Sequence, residues 1–147
     1  MRNPQPLAFS LIEIIVVIGI MAVLTTISLA GFKSFQNRNL LNNTAQAIAQ
    51  ILAQAEISAR AGEHDSNRGV FFQTRTATGY SGNNYQTRDP AFDSPFPFPD
   101  IVSGAEEIDV NFQKLTGFPP AAAAIIINSN NGDTKTITIN EKGVIDY

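Results

Sequence analysis

The fold of this chain depends on one apolar stretch, FSLIEIIVVIGIMAVLTTISLAGF, which occupies residues 9–32. No polar side chain occurs at residues 14–24. Thr25, Thr26 and Ser28 interrupt the stretch only mildly, because hydroxyl groups in a helix can bond back to the backbone. A helix needs about 20 apolar residues to cross a bilayer. The stretch is therefore predicted to be a transmembrane helix.

Glu13 is the one charged residue inside this stretch. A carboxylate within hydrocarbon is costly, so an acidic residue in a membrane segment is by default functional and requires a partner. If the chain is cut between Ala8 and Phe9, the new amine lies four residues before Glu13. Four residues make about one helical turn, so the amine and the carboxylate can share one helix face.

The junction Ala8-Phe9-Ser10-Leu11-Ile12-Glu13, followed by the apolar run, resembles the class III prepilin leader of type IV pilins and pseudopilins. The resemblance implies that a prepilin peptidase removes residues 1–8 and methylates the new amine of Phe9. It also implies an assembly role for Glu13. The sequence departs from the family at Ala8, where Gly is usual, and its leader has only one basic residue, Arg2.

The same resemblance implies a structural subunit, minor rather than major, of a type IV pilus or a type II secretion pseudopilus. A competence pilus is the third machine that it allows. The expected location is the bacterial inner membrane, with a single span and the C-terminal domain outside the cytoplasm, and then a periplasmic or extracellular filament. The expected partners are the prepilin peptidase, other pilin or pseudopilin subunits and the inner membrane.

Two other interpretations of the apolar stretch remain open. Ser28-Leu29-Ala30 matches the pattern at which a general secretory signal peptide is cleaved. Against this, Glu13 lies where a cationic flank is expected, and the run exceeds the usual apolar region of about 7–15 residues. The other alternative is a plain single-span anchor in which Glu13 is incidental.

A second apolar pattern predicts that the helix continues beyond the membrane segment. Apolar residues recur there at spacings of four and three: Leu41, Ala45, Ile48, Leu52, Ala55 and Ala59. Such a stripe is typical of a helix that packs on a domain. No Pro occurs between Phe9 and Ala61, and Gly62 follows Arg60 where a C-cap is expected. One helix is predicted from about Phe9 to Ala61.

After Gly62 the apolar period changes to two, which is typical of strands. Strands are predicted at residues 69–76, 108–113, 124–128, 136–140 and 144–147. Asn131-Gly132 is a strong hairpin signal. Residues 78–100 are rich in Gly, Asn, Ser and Pro, and are predicted to be mostly loop with a short strand around Tyr85.

The expected fold class is α+β, with a long N-terminal helix packed by its second half on a C-terminal antiparallel β-sheet, as in pilins. The expected organisation is a leader at residues 1–8, a transmembrane or filament-core helix at 9–32 and a globular domain at 33–147. That domain is similar to the GspH/FimT type of minor pilin. The similarity lies in four short stretches: Ala55-Glu56-Ile57-Ser58-Ala59-Arg60, Gly69-Val70, Phe112 to Gly117, and Lys142-Gly143-Val144.

Composition argues against several other classes. The absence of Cys excludes a disulfide framework, a thiol nucleophile and a Cys-ligated zinc site.

Some FimT-type minor pilins take up DNA through a basic C-terminal region, so a DNA-uptake or adhesive module is the alternative function. Here the net charge is -3 and residues 140–147 carry one cation and two acids. DNA is therefore an improbable partner, although Lys114, Lys135 and Lys142 could still cluster in space.

Few side chains suggest a reactive site. The sequence has no His-Glu-x-x-His, phosphate loop or nucleophile elbow, so no enzyme, catalytic residue or cofactor is expected. His64, the only His, is expected to be solvated in a turn. Glu106, Glu107 and Asp109 form an acidic group, and some pseudopilins bind calcium through loop carboxylates. Because adjacent strand residues point to opposite faces, a solvated strand face is expected and no metal site is predicted.

Three aromatic residues in the long Pro-rich segment have two interpretations. Phe92, Phe96 and Phe98 either form an exposed adhesive patch or anchor this segment to the domain. The second interpretation is the one expected here.

We expect protein isolated from its native host to begin at Phe9 and to carry a methylated amine. Intact mass and N-terminal sequencing measure both properties directly. A mature chain that begins at Gly31 would indicate cleavage of an ordinary signal peptide and would contradict the prepilin interpretation.

Overall fold

The structure, a computed structural model, describes residues 9–147, apart from the side chains of residues 27–31. The chain divides into two compact units, with the boundary between Gln36 and Asn37. Within the described residues, one α-helix is followed by eight strands. They are α1 (Leu11–Arg60), β1 (Arg68–Gln73), β2 (Thr76–Ser81), β3 (Asp89–Pro97), β4 (Val102–Gly104), β5 (Ile108–Phe112), β6 (Ala123–Ser129), β7 (Thr134–Ile139) and β8 (Ile145–Asp146).

The strands form two antiparallel sheets rather than the single sheet that the sequence predicts. The first has the order β3-β2-β1-β5 and the second the order β4-β6-β7-β8. The α+β class and the antiparallel pairing are confirmed. The division into two sheets was not foreseeable from the period of each strand, because period gives the buried face of a strand and not its neighbours.

The predicted helix is confirmed close to its predicted ends. It stops at Arg60, and Gly62 adopts the left-handed conformation with φ of 67°. The backbone N–H of Gly62 donates to the carbonyl of Ala59 over 3.0 Å, which caps the helix end. The predicted stripe is buried at Leu41, Ala45, Ile48, Leu52 and Ala59, each at most 3% exposed, and Ala55 is half-buried.

Both sheets supply the apolar surface that covers this stripe within residues 37–147. Their largest contributions come from alternate residues of four strands: Val70, Phe72, Val110, Phe112, Ile125, Ile127, Ile137 and Ile139. All of them lie in one buried cluster with the helix stripe. Each such side chain stabilises the fold by about 1.5–3 kcal/mol when fully buried. The second half of α1 and the two sheets thus share a single core.

Residues 78–100 are not mostly loop, so this prediction is wrong. β2 and β3 occupy most of the region, and Tyr85 lies in a 3-10 turn (Tyr85–Thr87) rather than in a strand. The Pro residues explain the failure, because Pro90, Pro95 and Pro97 disfavour a central strand. β3 is an edge strand, however, and an edge tolerates residues that lack an N–H donor.

The remaining strand predictions fare better. The strand predicted at residues 108–113 is confirmed as β5, which ends one residue earlier. β6 and β7 pair across the Asn131-Gly132 hairpin, where Gly132 has φ of 84°. β8 confirms the last edge strand. The strand predicted at residues 69–76 ends at Gln73, since Thr76 already belongs to β2. The sequence does not predict β4.

A close approach between β1 and β2 requires glycine at position 69. Gly69 and Tyr80 are partners in the β1–β2 register, and a Cβ at position 69 would collide with the Tyr80 ring. Tyr80 is only 2% exposed. The ring is therefore buried over a stretch of backbone that carries no side chain.

We expect Gly69→Ala to lower the free energy of unfolding by about 1–3 kcal/mol, the usual cost of overpacking a well-filled site. Gly79→Ala is the matched control in the adjacent strand, because its Cβ would lie 3.8 Å from Ser94, an ordinary contact. Urea unfolding of both variants measures the difference. Equal midpoints would show that the Tyr80 ring does not depend on Gly69.

Candidate functional site

The predicted processing site lies only partly within the described residues. Ala8 falls outside them, whereas Phe9 lies two residues before the start of α1 and is 77% exposed. Glu13 lies in the first turn of α1, and its backbone N–H donates to the Ser10 carbonyl over 3.1 Å. Since α1 begins at Leu11, Phe9 itself is not helical, and the shared helix face of the Phe9 amine and Glu13 stays a prediction.

The helix surface that follows is apolar and uncovered. Twelve large hydrophobic side chains there are 46–77% exposed: Phe9, Leu11, Ile12, Ile14, Ile15, Val16, Val17, Ile18, Ile20, Met21, Val23 and Leu24. Consecutive members of this set point around the whole helix, because each residue turns by about 100°. A helix that is apolar on every side is normally buried in protein or in lipid.

The polar side chains near the end of this surface satisfy their hydrogen bonds locally. The Thr25 hydroxyl donates to the Met21 carbonyl and the Thr26 hydroxyl to the Val23 carbonyl, each over 2.7 Å. The two hydroxyls thus bond back to the helix backbone, as predicted, and do not require an external partner.

Over the residues that the structure describes, no helix is both long and apolar enough to cross a membrane. The predicted span at residues 9–32 includes residues 27–31, whose side chains lie outside that description.

The acidic group that could have held calcium is divided by the fold. Glu106 and Glu107 are exposed. Asp109 accepts the Tyr80 hydroxyl over 2.5 Å on one oxygen and the Tyr85 N–H over 3.0 Å on the other. No group of three His, Asp or Glu side chains in the described ranges is placed to hold a metal. Asp109 instead fixes the turn at Tyr85 against β5.

An aromatic stack secures the same turn on the outer face of the first sheet. Phe71 faces away from the core, since its neighbours Val70 and Phe72 face into it. The Phe71 and Tyr85 rings stack with centroids 4.1 Å apart, and the Arg88 guanidinium lies 3.7 Å from the Tyr85 centroid. These residues are far apart in the sequence, so period and spacing could not reveal the stack.

The three Phe residues of the Pro-rich segment have different roles. Phe98 is buried and Phe96 is half-buried against the core, which confirms the anchoring interpretation for both. Phe92 is 37% exposed, and its ring lies 4.1 Å from the ring of His64. His64 is exposed, as predicted, and its Nδ1 lies against Nη2 of Arg68.

The three lysines that could have formed a basic surface do not all lie together. Lys114 pairs with Asp65, and this hydrogen bond and charge lower the pKa of the Asp65 carboxyl. Lys135 lies near the start of β7 and Lys142 beyond its end. Strand residues rise by about 3.3 Å each, so Lys135 and Lys142 are at opposite ends of the strand.

The sequence gives no expectation for Arg68, which contacts Glu63 and His64 beside a cavity. One feature of the sequence could have indicated the position of Arg68. Arg68 is two residues before Val70 and four before Phe72, so the strand period places a cation on the core-facing side of β1.

The chain matches no family model, no curated protein and no solved structure. The resemblance to prepilin leaders therefore rests only on the residues of the leader junction and the apolar run after it.

Burial, and after it the hydrogen bond to Asp109, raises the pKa of Tyr80 above its ordinary value of 10.0. A pKa that is higher in the folded than in the unfolded state stabilises the fold below the unfolded value. That stability is lost as the pH rises toward the folded value.

We therefore expect the free energy of unfolding to fall as the pH rises above 10.0, and Tyr80→Phe to reduce this fall. At neutral pH the same variant should lose about 1 kcal/mol, the net worth of one hydrogen bond. Urea unfolding at neutral and alkaline pH measures both effects, with Tyr147→Phe at an exposed position as the control. An unchanged alkaline slope in Tyr80→Phe would contradict the assignment.

Proposed function

We propose that this chain is a structural subunit, minor rather than major, of a type IV pilus or a type II secretion pseudopilus. It is stored in the bacterial inner membrane and assembles through its N-terminal helix after a prepilin peptidase has removed residues 1–8. The observation that carries the proposal is the apolar surface of residues 9–24, which is exposed on every side of α1. Such a surface is stable only when something apolar covers it.

The amount of exposed surface indicates how strong this requirement is. Covering one side chain of this size is worth about 1.5–3 kcal/mol, and twelve of them are exposed. Half of this set, at about 9–18 kcal/mol, is already comparable with the roughly 5–15 kcal/mol by which a domain is stable. Lipid hydrocarbon satisfies the requirement in the stored subunit, and the helices of neighbouring subunits satisfy it in the filament.

Transfer from lipid into a bundle needs a different source of specificity. Lipid is as apolar as the helix, so association of helices depends on close packing and on satisfied polar groups. Glu13 is the only charged side chain in residues 9–32. It is therefore the residue best suited to select one stagger between neighbouring helices.

The partner of Glu13 in this proposal is the Phe9 amine of a neighbouring processed subunit. One member of a buried ion pair left alone costs roughly 3–5 kcal/mol. A wrong stagger therefore leaves two buried charges unpaired, whereas the correct stagger pairs them. Within one chain Phe9 and Glu13 are four residues apart, so a helix that extends to Phe9 in the filament would present both groups on one face.

The geometry of the domain also supports the proposal. Three of the stretches that resemble the GspH/FimT type meet around the end of α1. A Cβ at Gly117 would collide with Arg60, and a Cβ at Gly143 would lie 3.0 Å from Glu56 Oε1 and 3.1 Å from the Gly117 carbonyl. Both glycines have positive φ, 68° and 81°. The stretches at 55–60, 112–117 and 142–144 thus form one structural feature.

We expect Glu13→Gln and Glu13→Val to insert into the membrane as well as the wild type but to enter filaments poorly. The apolar helix is retained or extended in both, while the Phe9 amine of a neighbour loses its charged partner. Glu13→Asp should be intermediate, since the charge remains and the reach shortens. The measurement is the fraction of subunit in sheared or cross-linked filaments, relative to the total in membranes, with the exposed Glu141→Gln as the control.

Equal incorporation of wild type, Glu13→Gln and Glu13→Val would refute the pairing role. Loss of membrane insertion in Glu13→Val would refute storage of the helix in lipid, because that substitution removes the only charge that opposes insertion.

A further inference from the structure

A cavity of about 330 Å³ lies within the unit of residues 37–147, lined by α1 and by three strands of the first sheet. Its apolar lining includes Ile51 and Ala55 of α1 together with Phe92, Pro95 and Phe96 of β3. Ligand pockets in proteins span about 300–1,000 Å³. This volume therefore suits a small molecule of roughly one ring and a short chain.

Arg68 is the cationic residue of this lining. Its side chain is only 13% exposed, although it carries a full charge. Nη2 donates to Glu63 Oε2 over 3.2 Å and also contacts His64 Nδ1. The two hydrogens of Nη2 are therefore used.

A second donor of this guanidinium, Nε, lacks a partner. Nε is buried, and it is the one buried side-chain nitrogen or oxygen in the described part of the chain that lacks a hydrogen-bond partner. The hydrogen bonds of the guanidinium to Glu63 and His64 both use Nη2. Buried donors without an acceptor are costly and are normally satisfied by protein, water or a ligand.

The backbone beside Arg68 is held in an unusual conformation. His64 and Asp65 are consecutive non-glycine residues in the left-handed region, with φ of 55° and 54°. Such conformations are unfavourable, and they occur preferentially at binding and catalytic sites. Here the turn places Glu63 and His64 against Nη2 of the Arg68 guanidinium.

We propose that this cavity binds a small organic monocarboxylate that carries an aromatic or branched apolar group. The carboxylate accepts from the guanidinium of Arg68, and the apolar group lies against Phe92 and Phe96. A charged acceptor is favoured over a neutral one because charge-assisted hydrogen bonds to guanidinium are roughly twice as strong. A single negative charge is favoured over two because the Glu63 carboxylate already lies at the same guanidinium and repels further charge.

The proposal goes beyond a role in filament assembly, since every residue that it uses lies in residues 51–96 and none in the apolar part of α1. It gives the displayed domain a receptor site of its own. Failure of assembly and failure of ligand binding are consequently separate results.

The test uses the full chain in lipid nanodiscs and 19F NMR titration with 3-(4-fluorophenyl)propionate, with empty nanodiscs as the blank. We expect a Kd on the order of 1 mM or tighter, as ligand efficiency allows for a molecule of this size. Two control ligands are measured by competition: the corresponding amide, which lacks the charge, and propionate itself, which lacks the fluorophenyl ring. Each should bind at least roughly tenfold more weakly than the acid.

Three variants test whether the ligand binds beside Arg68. Arg68→Gln should weaken binding roughly tenfold or more, which corresponds to the loss of a charge-assisted bond. Glu63→Gln should tighten binding, because it removes the competing carboxylate. Arg75→Gln, an exposed arginine paired with Asp100 outside the cavity, should bind as the wild type does. Thermal melts of the variants check that each is folded.

Three results would overturn the proposal. They are no saturable binding of the acid, equal binding of the acid and the amide, and binding by folded Arg68→Gln that equals the wild type. The first would leave water as the partner of Arg68, and the second would assign the cavity to neutral apolar molecules.

Discussion

The structure depends on how the apolar surface of one helix is covered. α1 runs for 50 residues and carries apolar side chains along nearly all of its described length. In its second half they form a single stripe, from Leu41 to Ala59, that two sheets bury. In residues 9–24 they cover the whole circumference and are exposed. A one-sided stripe suits a globular core, whereas a helix that is apolar all round is normally buried in protein or in lipid.

The parts of the fold that periodicity specifies could be predicted from the sequence. The helix stripe and the alternating strands β5, β6 and β7 are of this kind, because each has one exposed face and one buried face. β3 could not be predicted, since its three Pro residues are tolerated only at a sheet edge. The division into two sheets could not be predicted either, because it depends on which strands pair. The hydrogen bond from the Tyr80 hydroxyl to Asp109 likewise joins residues that are 29 positions apart in the sequence.

The two candidate sites also differ in whether the sequence alone reveals them. Glu13 could be recognised from the sequence because a charge inside an apolar run is a local anomaly. The cavity beside Arg68 could not, since α1, β1 and β3 bring its lining together. Its one local sign is a cation at a core-facing strand position. Both sites rest on one principle, that a charge in apolar surroundings requires a partner. For Glu13 we assign that partner to another subunit, and for Arg68 to a small ligand in addition to Glu63.

The most direct test of the central claim is a spin-label scan of α1 in the full chain in lipid bilayers. The chain has no Cys, so each single Cys substitution at residues 14–24 gives one label. We predict high accessibility to oxygen and low accessibility to a water-soluble nickel chelate at every position, with labels at the exposed Asn39 and Asn43 reached by the chelate. A chelate profile that rises and falls with the helical period would mean that one face of this helix lies in water, and would contradict the account.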